Sequence, residues 1–376
     1  APGTPVVLGG IHPTALPFES IEESGADVVV CGEGERTIVE LARRYRGDDT
    51  ELRNIDGLAF FSGEERVRTG RREYIEDLDS LPFPAWNLIP PARYSLFPWQ
   101  IFKRGGVVGT VLTSRGCPFK CTFCASRVHG SKLRFRSAGN VVDEMEMLVR
   151  DYGVEEFQIM DDNFTFSKEH AMEVCLEIIR RRLDIVWKTP NGVRVDTIDD
   201  ELLGVMKESG CYQLGFGIES GSPEILERCR KRLDLSGVPE KIRLAHSHGI
   251  EVYGFFILGL PGETEDTIRR TLRFMKKGFD HVNVSFCVPY PGSELFREAY
   301  GGEQKVSDWN RYIHYNPFPV SNIPERVLKK YIRKALLGFY LRPGRALDLL
   351  RKLSAPQLRF VGNLVFKYLA PSGGKA

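Results

Sequence analysis

The sequence predicts an α/β protein whose largest part is a parallel sheet curled into a partial, TIM-like (β/α)6 barrel. Three observations carry that prediction. Between about residues 107 and 320, six β-branched or apolar runs alternate with stretches of helical period. Regular strand–helix alternation marks a parallel sheet, because each parallel connection needs a long crossover. Polar residues gather where the runs end, and chemistry on such sheets sits at the strands' carboxyl ends.

Residues 1–48 read as strand, helix, strand, helix, the closing half of an open Rossmann-like sheet. Residues 5–10 are a short strand ending in Gly9-Gly10, and 11–17 are expected to be a loop. A helix over 18–25, a strand over 26–31 and a helix running to Tyr45 follow. A glycine pair at a strand's carboxyl end lets a ligand approach the backbone, although turn glycines look the same in sequence. Residues 49–106 are a connector. Residues 55–61 and 67–69 flank Ser62-Gly63-Glu64-Glu65 as a β-hairpin. The proline density from Leu81 to Tyr94 forbids regular helix and favours an extended strap. Trp86, Tyr94, Phe97 and Trp99 are expected to pack that strap onto the barrel.

The barrel occupies residues 107–320, with strands over 107–112, 154–160, 184–189, 212–218, 252–258 and 281–288. Helices are expected over 137–152, 168–181, 199–209, 236–248 and 265–277, with Ser167 capping the second. The strand ends carry Asp161-Asp162-Asn163, Arg194, Glu219-Ser220 and Glu263. Taken singly, each suits a helix cap or a loop salt bridge; their joint placement at one rim argues for a site. Residues 321–376 form a basic helical tail broken at Pro343-Gly344 and Pro356. A basic amphipathic helix suits a solvated face, and it also suits peripheral contact with a membrane.

The 52 Lys and Arg nearly balance the 50 Asp and Glu, so bulk charge points to no nucleic-acid partner. No apolar run is long enough to span a bilayer. The eight cysteines show no disulfide framework, which predicts a cytoplasmic protein. The chain opens on Ala1-Pro2-Gly3 and reads as a fragment whose start lies upstream.

Three of those cysteines stand together. Cys117, Cys121 and Cys124 follow the first barrel strand with the spacing C-x3-C-x2-C. Soft thiolates this close suit zinc or an iron–sulfur centre. Structural zinc takes a fourth ligand, for which His129 is a candidate at an unusual spacing. A 4Fe–4S cluster held by three cysteines leaves one iron open to another ligand.

This loop, with Phe123 just before its last cysteine, resembles the signature of the radical SAM superfamily. The segments MDDNF (160–164), GFFILGLPGE (254–263) and VPYPGS (288–293) fall in that family's order. The resemblance implies that Cys117, Cys121 and Cys124 hold a 4Fe–4S cluster whose open iron binds S-adenosylmethionine (SAM). It places Phe123 near the adenine, and Asp161, Asp162 and Asn163 near the amino group of SAM. Arg194, Glu219 and Ser220 fall near its carboxylate and ribose, Gly259 beside the adenine, and Pro289 under the nucleoside.

The segments GGIHPTALP and DVVVCGEGERT resemble the last part of the cobalamin-binding domain that precedes the barrel in one branch of the family. There Gly9 and Gly10 would border the nucleotide tail of cobalamin. The earlier strands of that domain, and its D-x-H-x-x-G loop, are not in this sequence. His12 is expected to shape its loop before Pro13 rather than to bind cobalt.

The implied activity is reductive cleavage of SAM to a 5′-deoxyadenosyl radical. Cobalamin-dependent methyl transfer to an unactivated carbon is the leading outcome. A cyclase or oxidoreductase of tetrapyrrole or lipid synthesis is the alternative. A small, hydrophobic substrate and an electron donor such as a flavodoxin or ferredoxin are the implied partners. A tRNA-methylthiolating enzyme is disfavoured by the cysteine-poor N-terminus and the helical tail. A non-catalytic iron–sulfur or zinc protein is the reading from another class.

Overall fold

The computed structural model describes residues 3–94, 104–301, 309–312, 316–318, 320–342, 344–345, 347 and 359. By its internal contacts the chain divides into two units. One contains residues 1–80, 115–134 and 288–313; the other contains 81–114, 135–287 and 314–376.

In chain order the structure begins with β1 (Val7–Gly9), α1 (Ile11–Ala15), α2 (Pro17–Ser24), β2 (Val28–Val30) and α3 (Glu35–Tyr45). The hairpin β3 (Leu58–Ser62) and β4 (Glu65–Arg68) follows. Then come β5 (Val107–Val111), the two-residue strands β6 (Ser114–Arg115) and β7 (Arg134–Phe135), and α4 (Ala138–Tyr152). The alternation continues with β8 (Val154–Ile159), α5 (Lys168–Arg180), β9 (Val186–Val193), α6 (Asp200–Glu208) and β10 (Cys211–Glu219). It closes with α7 (Pro223–Arg228), α8 (Val238–Ser247), β11 (Glu251–Leu258), α9 (Glu265–Phe274), β12 (His281–Phe286), α10 (Glu294–Tyr300) and α11 (Glu325–Tyr340).

In the first unit β1 and β2 are parallel, as expected, but the sheet does not stop there. β3 pairs antiparallel with β2, and β4 with β3, giving the order β1-β2-β3-β4. The expected domain boundary at residue 48 is therefore corrected: the hairpin belongs to the N-terminal sheet. The physical reason is twofold. A bare β2 would leave a row of unpaired backbone groups. The hairpin also continues its apolar faces, with Val28, Val30, Leu58, Phe60 and Val67 packing on Leu41 of α3. Val29 and Ala59 face the other way, onto Ile21 of α2. A second correction concerns residues 11–17, which are not a plain loop. Ile11–Ala15 is a helical turn that Gly10 enters at φ 106°, and Pro13 is tolerated where no amide hydrogen is needed.

In the second unit six parallel strands in the order β5-β8-β9-β10-β11-β12 form the curled half-barrel. Chain order and spatial order coincide, so each crossover joins neighbouring strands. Helix starts follow the sequence closely. Ser137 accepts a hydrogen bond from the Asn140 amide, and Ser167 accepts one from His170 at 3.1 Å. The core joins Phe157, Trp187, Leu214, Phe216 and Phe256 of the strands to helix residues such as Met145, Val174 and Leu203. Trp86 of the strap packs against this core, and its indole donates to Glu144 Oε1 at 3.0 Å. Tyr94 is half exposed, and Phe97 and Trp99 lie outside the described residues.

The tail expected at 321–376 is also corrected where it is described. α11 buries Leu328, Ile332, Ala335 and Phe339 in the barrel core. The Tyr340 hydroxyl meets both the amide (3.0 Å) and the carbonyl (2.8 Å) of Val282, capping the edge strand β12. Its apolar face is thus covered by the barrel. The tail beyond it lies largely outside the described residues. No helix among the described residues is long and apolar enough to cross a membrane.

Candidate active site

The cysteine loop belongs to the first unit. Gly116 turns the chain into it at φ 95°, and any Cβ there would stand 2.3 Å from the Lys132 carbonyl oxygen. Only glycine lets the loop close on itself this tightly. Cys117, Cys121, Phe123 and Cys124 are all half-buried. The Cys124 amide donates to the Cys121 carbonyl at 3.2 Å, and the Ser126 amide donates to Cys124 Sγ at 3.4 Å.

Cys121 and Cys124 line a cavity of about 240 Å3 together with Lys120, Arg127, Gly292, Arg297 and one carboxylate, Glu294, so its cations outnumber its acids. Those cations suit an anionic, thiolate-bound group. Among the described residues, no three His, Cys, Asp or Glu side chains are drawn together tightly enough to hold a metal ion by themselves. The donor chemistry of the loop fits an iron–sulfur cluster.

Other predicted residues of this unit behave differently from one another. Pro289 is buried at the start of the turn in which the Ser293 amide reaches the Tyr290 carbonyl at 3.0 Å. Gly9 and Gly10 are exposed at the end of β1, and nothing lies within 4 Å of the space a Cβ on Gly10 would fill. The His12 ring packs edge-on against Trp309, 4.4 Å between centroids, which is a loop-shaping contact.

The remaining predicted residues lie in the second unit, at the carboxyl ends of its strands. Asp161 is buried, and its carboxylate is already engaged. It accepts from the Thr113 amide at 2.7 Å, from the Thr113 hydroxyl at 2.6 Å and from the Ser114 hydroxyl. Burial pushes its pKa up, and these hydrogen bonds only partly oppose the rise. Asp161 therefore ties the end of β5 to the end of β8. His170 extends the network, its Nε2 2.9 Å from the Thr113 hydroxyl. Asp162 is exposed beside it. Asn163 accepts from the Arg194 amide at 3.3 Å, while its buried Nδ2 has no partner. A buried donor left open in a rim is a place for a ligand's acceptor.

Arg194 is likewise engaged within the protein. Its guanidinium grips Asp196 at 2.7 and 2.9 Å and donates to the carbonyls of Lys231 and Arg232, both at 2.7 Å. It is an anchor for the loop after α7 rather than a free cation. What it presents is Lys231, whose Nζ donates to Glu219 Oε1 at 2.9 Å. Glu219 (φ 64°), Arg230 (φ 55°) and Arg232 (φ 49°) all hold the left-handed conformation that non-glycine residues avoid. Strain gathered around one cation–carboxylate pair points to function. Sequence reading missed Lys231; its signal was the basic run from Arg228 to Arg232.

Ser220 is fully buried, its hydroxyl 3.2 Å from that of Thr271. It locks the strand end to α9. Gly259 turns at φ 87°, and its amide donates to Glu263 Oε2 at 2.6 Å. Burial pushes the Glu263 carboxyl up to about 7 against the pull of the Gly259 and Leu260 amides, and its Oε1 has no partner.

Two family models match the chain. The radical SAM superfamily model matches residues 111–275, and the B12 binding domain model matches residues 1–42. An uncharacterised methyltransferase of Pyrococcus horikoshii is 35% identical over 90% of this chain and 72% of its own length. The anaerobic magnesium-protoporphyrin IX monomethyl ester cyclase of Cereibacter sphaeroides is 34% identical over 83% of this chain, which spans 51% of that protein. Among solved structures, the radical SAM methyltransferase TsrM of Kitasatospora setae, with cobalamin and a 4Fe–4S cluster bound, superposes with TM-score 0.64 at 24% identity. That match covers 79% of this chain and 57% of TsrM, and it bears on the fold. The chain belongs to the radical SAM superfamily of enzymes, in the branch that joins the half-barrel to a B12-binding domain.

Proposed function

We propose that this chain is the catalytic part of a cobalamin-dependent radical SAM enzyme that transfers a methyl group to an unactivated carbon of a small, hydrophobic molecule. The observation that carries the reading is the C-x3-C-x2-C loop, two of whose thiols share one cationic cavity. Cys117, Cys121 and Cys124 hold the 4Fe–4S cluster, and Lys120, Arg127 and Arg297 offset its negative charge. When bound, the cofactors supply one electron to SAM, a carbon-centred radical and, from cobalamin, a transferable methyl group.

The protein's part is to bind, orient and exclude water. Lys231 offers the cation for the SAM carboxylate, with Arg194 fixing the loop that presents it. Asp162 accepts from the amino group, Glu219 from ribose hydroxyls, and Asn163 Nδ2 donates to an acceptor of the ligand. By the family pattern Phe123 and Pro289 of the first unit and Gly259 of the second are each nucleoside contacts, and Gly9-Gly10 lets the nucleotide tail of cobalamin approach. An external flavodoxin or ferredoxin supplies the electron, and the reduced thiols suit the cytoplasm. Peripheral membrane contact would have to rest on the tail beyond α11. The curated relatives include a cyclase as well as a methyltransferase, so ring closure or oxidation by the same radical is the second reading.

The test is anaerobic reconstitution with iron and sulfide, then SAM and dithionite, assayed for 5′-deoxyadenosine. Wild type is expected to take up the cluster and form the nucleoside, and Cys121→Ala to do neither while melting as wild type does. Product formation by Cys121→Ala at the wild-type rate would sink the assignment. Adding hydroxocobalamin tests the second cofactor by its visible spectrum.

A further inference from the structure

We propose that Glu33 is a positioning residue for the cysteine loop. The turn Gly32-Glu33-Gly34-Glu35 after β2 grips both ends of the loop that carries the thiols and restrains their positions. The inference rests on the reading of Cys117, Cys121 and Cys124 as cluster ligands.

Arg115 stands two residues before Cys117, and Arg134 stands ten residues after Cys124. One carboxylate joins them. Arg134 Nη1 donates to Glu33 Oε2 at 2.8 Å, and its Nη2 lies 2.8 Å from Oε1. Arg115 Nη1 donates to Glu33 Oε1 at 3.3 Å, and its Nη2 donates to Glu35 Oε1 at 2.7 Å. The Glu33 and Arg134 side chains are 7% and 2% exposed, so the pair is out of water.

The surroundings complete the clamp. The Ile75 amide donates to Glu33 Oε2 at 2.8 Å, and Arg134 Nη1 donates to the Ile75 carbonyl at 2.8 Å. The Arg134 guanidinium lies 4.7 Å over the Tyr74 ring, and that ring fills the space a Cβ on Gly130 would need. Burial alone would raise the Glu33 carboxyl; the hydrogen bonds and charges of Arg134, Ile75 and Arg115 outweigh it and hold the group below its ordinary range.

A buried ion pair contributes more to a unique geometry than to net stability, and breaking one side leaves a stranded charge. Residues 116–133 contain little regular structure beyond the single turn Ser126–His129, so few of their own bonds fix the loop. The carboxylate instead ties the loop's ends to a turn that leaves β2, whose three valines are core. The N-terminal sheet thereby restrains the cysteine loop.

The experiment compares Glu33→Gln, the milder Arg115→Met, and Glu65→Gln, which breaks the exposed pair with Arg53. Hydrogen exchange on the unloaded protein follows the Cys124, Val128 and Gly130 amides, with β10 as the reference for global unfolding. Iron uptake and the EPR spectrum are read after anaerobic reconstitution. Glu33→Gln is expected to speed loop exchange by roughly tenfold or more at unchanged β10 protection. Iron affinity should fall by roughly tenfold, with an altered EPR line shape. Glu65→Gln should change neither. Should Glu33→Gln lose β10 protection as well, Arg115→Met decides by the same loop exchange. Wild-type loop exchange in the deciding variant overturns the proposal. If the wild-type protein takes up no iron, the ligand assignment fails, while the exchange measurement still decides the clamp.

Discussion

The two mouths of the half-barrel are built from the same six strands and treat polar groups in opposite ways. At the amino ends, Glu156 is fully buried and heavily partnered. It accepts from the Tyr212 hydroxyl at 2.8 Å and from the amides of Arg104 (2.6 Å) and Gly105 (2.9 Å), and Lys188 Nζ lies 3.3 Å away. Arg104 covers the Tyr212 ring at 4.5 Å and reaches Glu251 at 3.1 Å. At the carboxyl ends, Asn163 Nδ2 and Glu263 Oε1 are buried without partners, and three non-glycine residues sit at positive φ. The difference teaches where binding energy is held in reserve. A buried carboxylate partnered as heavily as Glu156 acts as a plug, and it contributes rigidity. A mouth with open donors and acceptors is unfavourable until a ligand fills it.

That contrast breaks most sharply at Glu156. Glu156→Ala strands Lys188 and two amides in the interior, so unfolding free energy should drop by about 3–5 kcal/mol in a denaturant titration. A loss below about 1 kcal/mol would mean that the plug is not what stiffens the barrel.

Next in size is an opposition in pH dependence between two buried groups. His170 is held down to about 4 by burial, below its ordinary 6.5. Between those values the unfolded chain binds more protons, so this group makes stability rise with pH. Glu263 is raised from 4.5 to about 7, so the folded protein binds more protons in that window and stability falls as pH rises through it. Each amounts to about 3 kcal/mol over its window, and the two nearly cancel where the windows overlap. Glu263→Gln should remove the falling limb, and His170→Gln the rising one. Parallel stability–pH curves for both variants and wild type would refute the pairing.

The smallest effect on stability, and the sharpest on function, belongs to Asn163. Its open amide predicts that Asn163→Ala changes stability by less than about 1 kcal/mol, because little is bonded there to lose. SAM affinity, read by calorimetry on the reconstituted protein, should fall roughly tenfold, the equivalent of one hydrogen bond. A variant that binds SAM as wild type does, yet unfolds easily, would reverse the roles assigned to the two mouths.

The period of the apolar runs was enough to place the six barrel strands and most of their helices, because each element buries a face its own neighbours in sequence define. The cysteine spacing was legible for the same reason: ligands on one loop are local. Tertiary structure alone decided the rest. Asp161, Arg194 and Ser220 sit where a family pattern puts ligand contacts, yet their side chains are engaged by Thr113 and Ser114, by Asp196 and the Lys231 and Arg232 carbonyls, and by Thr271. Lys231 and Glu33 acquire their roles from partners 12 to 101 residues away. The hairpin joined the N-terminal sheet, and α11 joined the barrel, because unpaired strand edges and uncovered apolar faces find partners in space. Composition and order in the chain determine which groups need a partner; only the folded arrangement determines which partner each one meets.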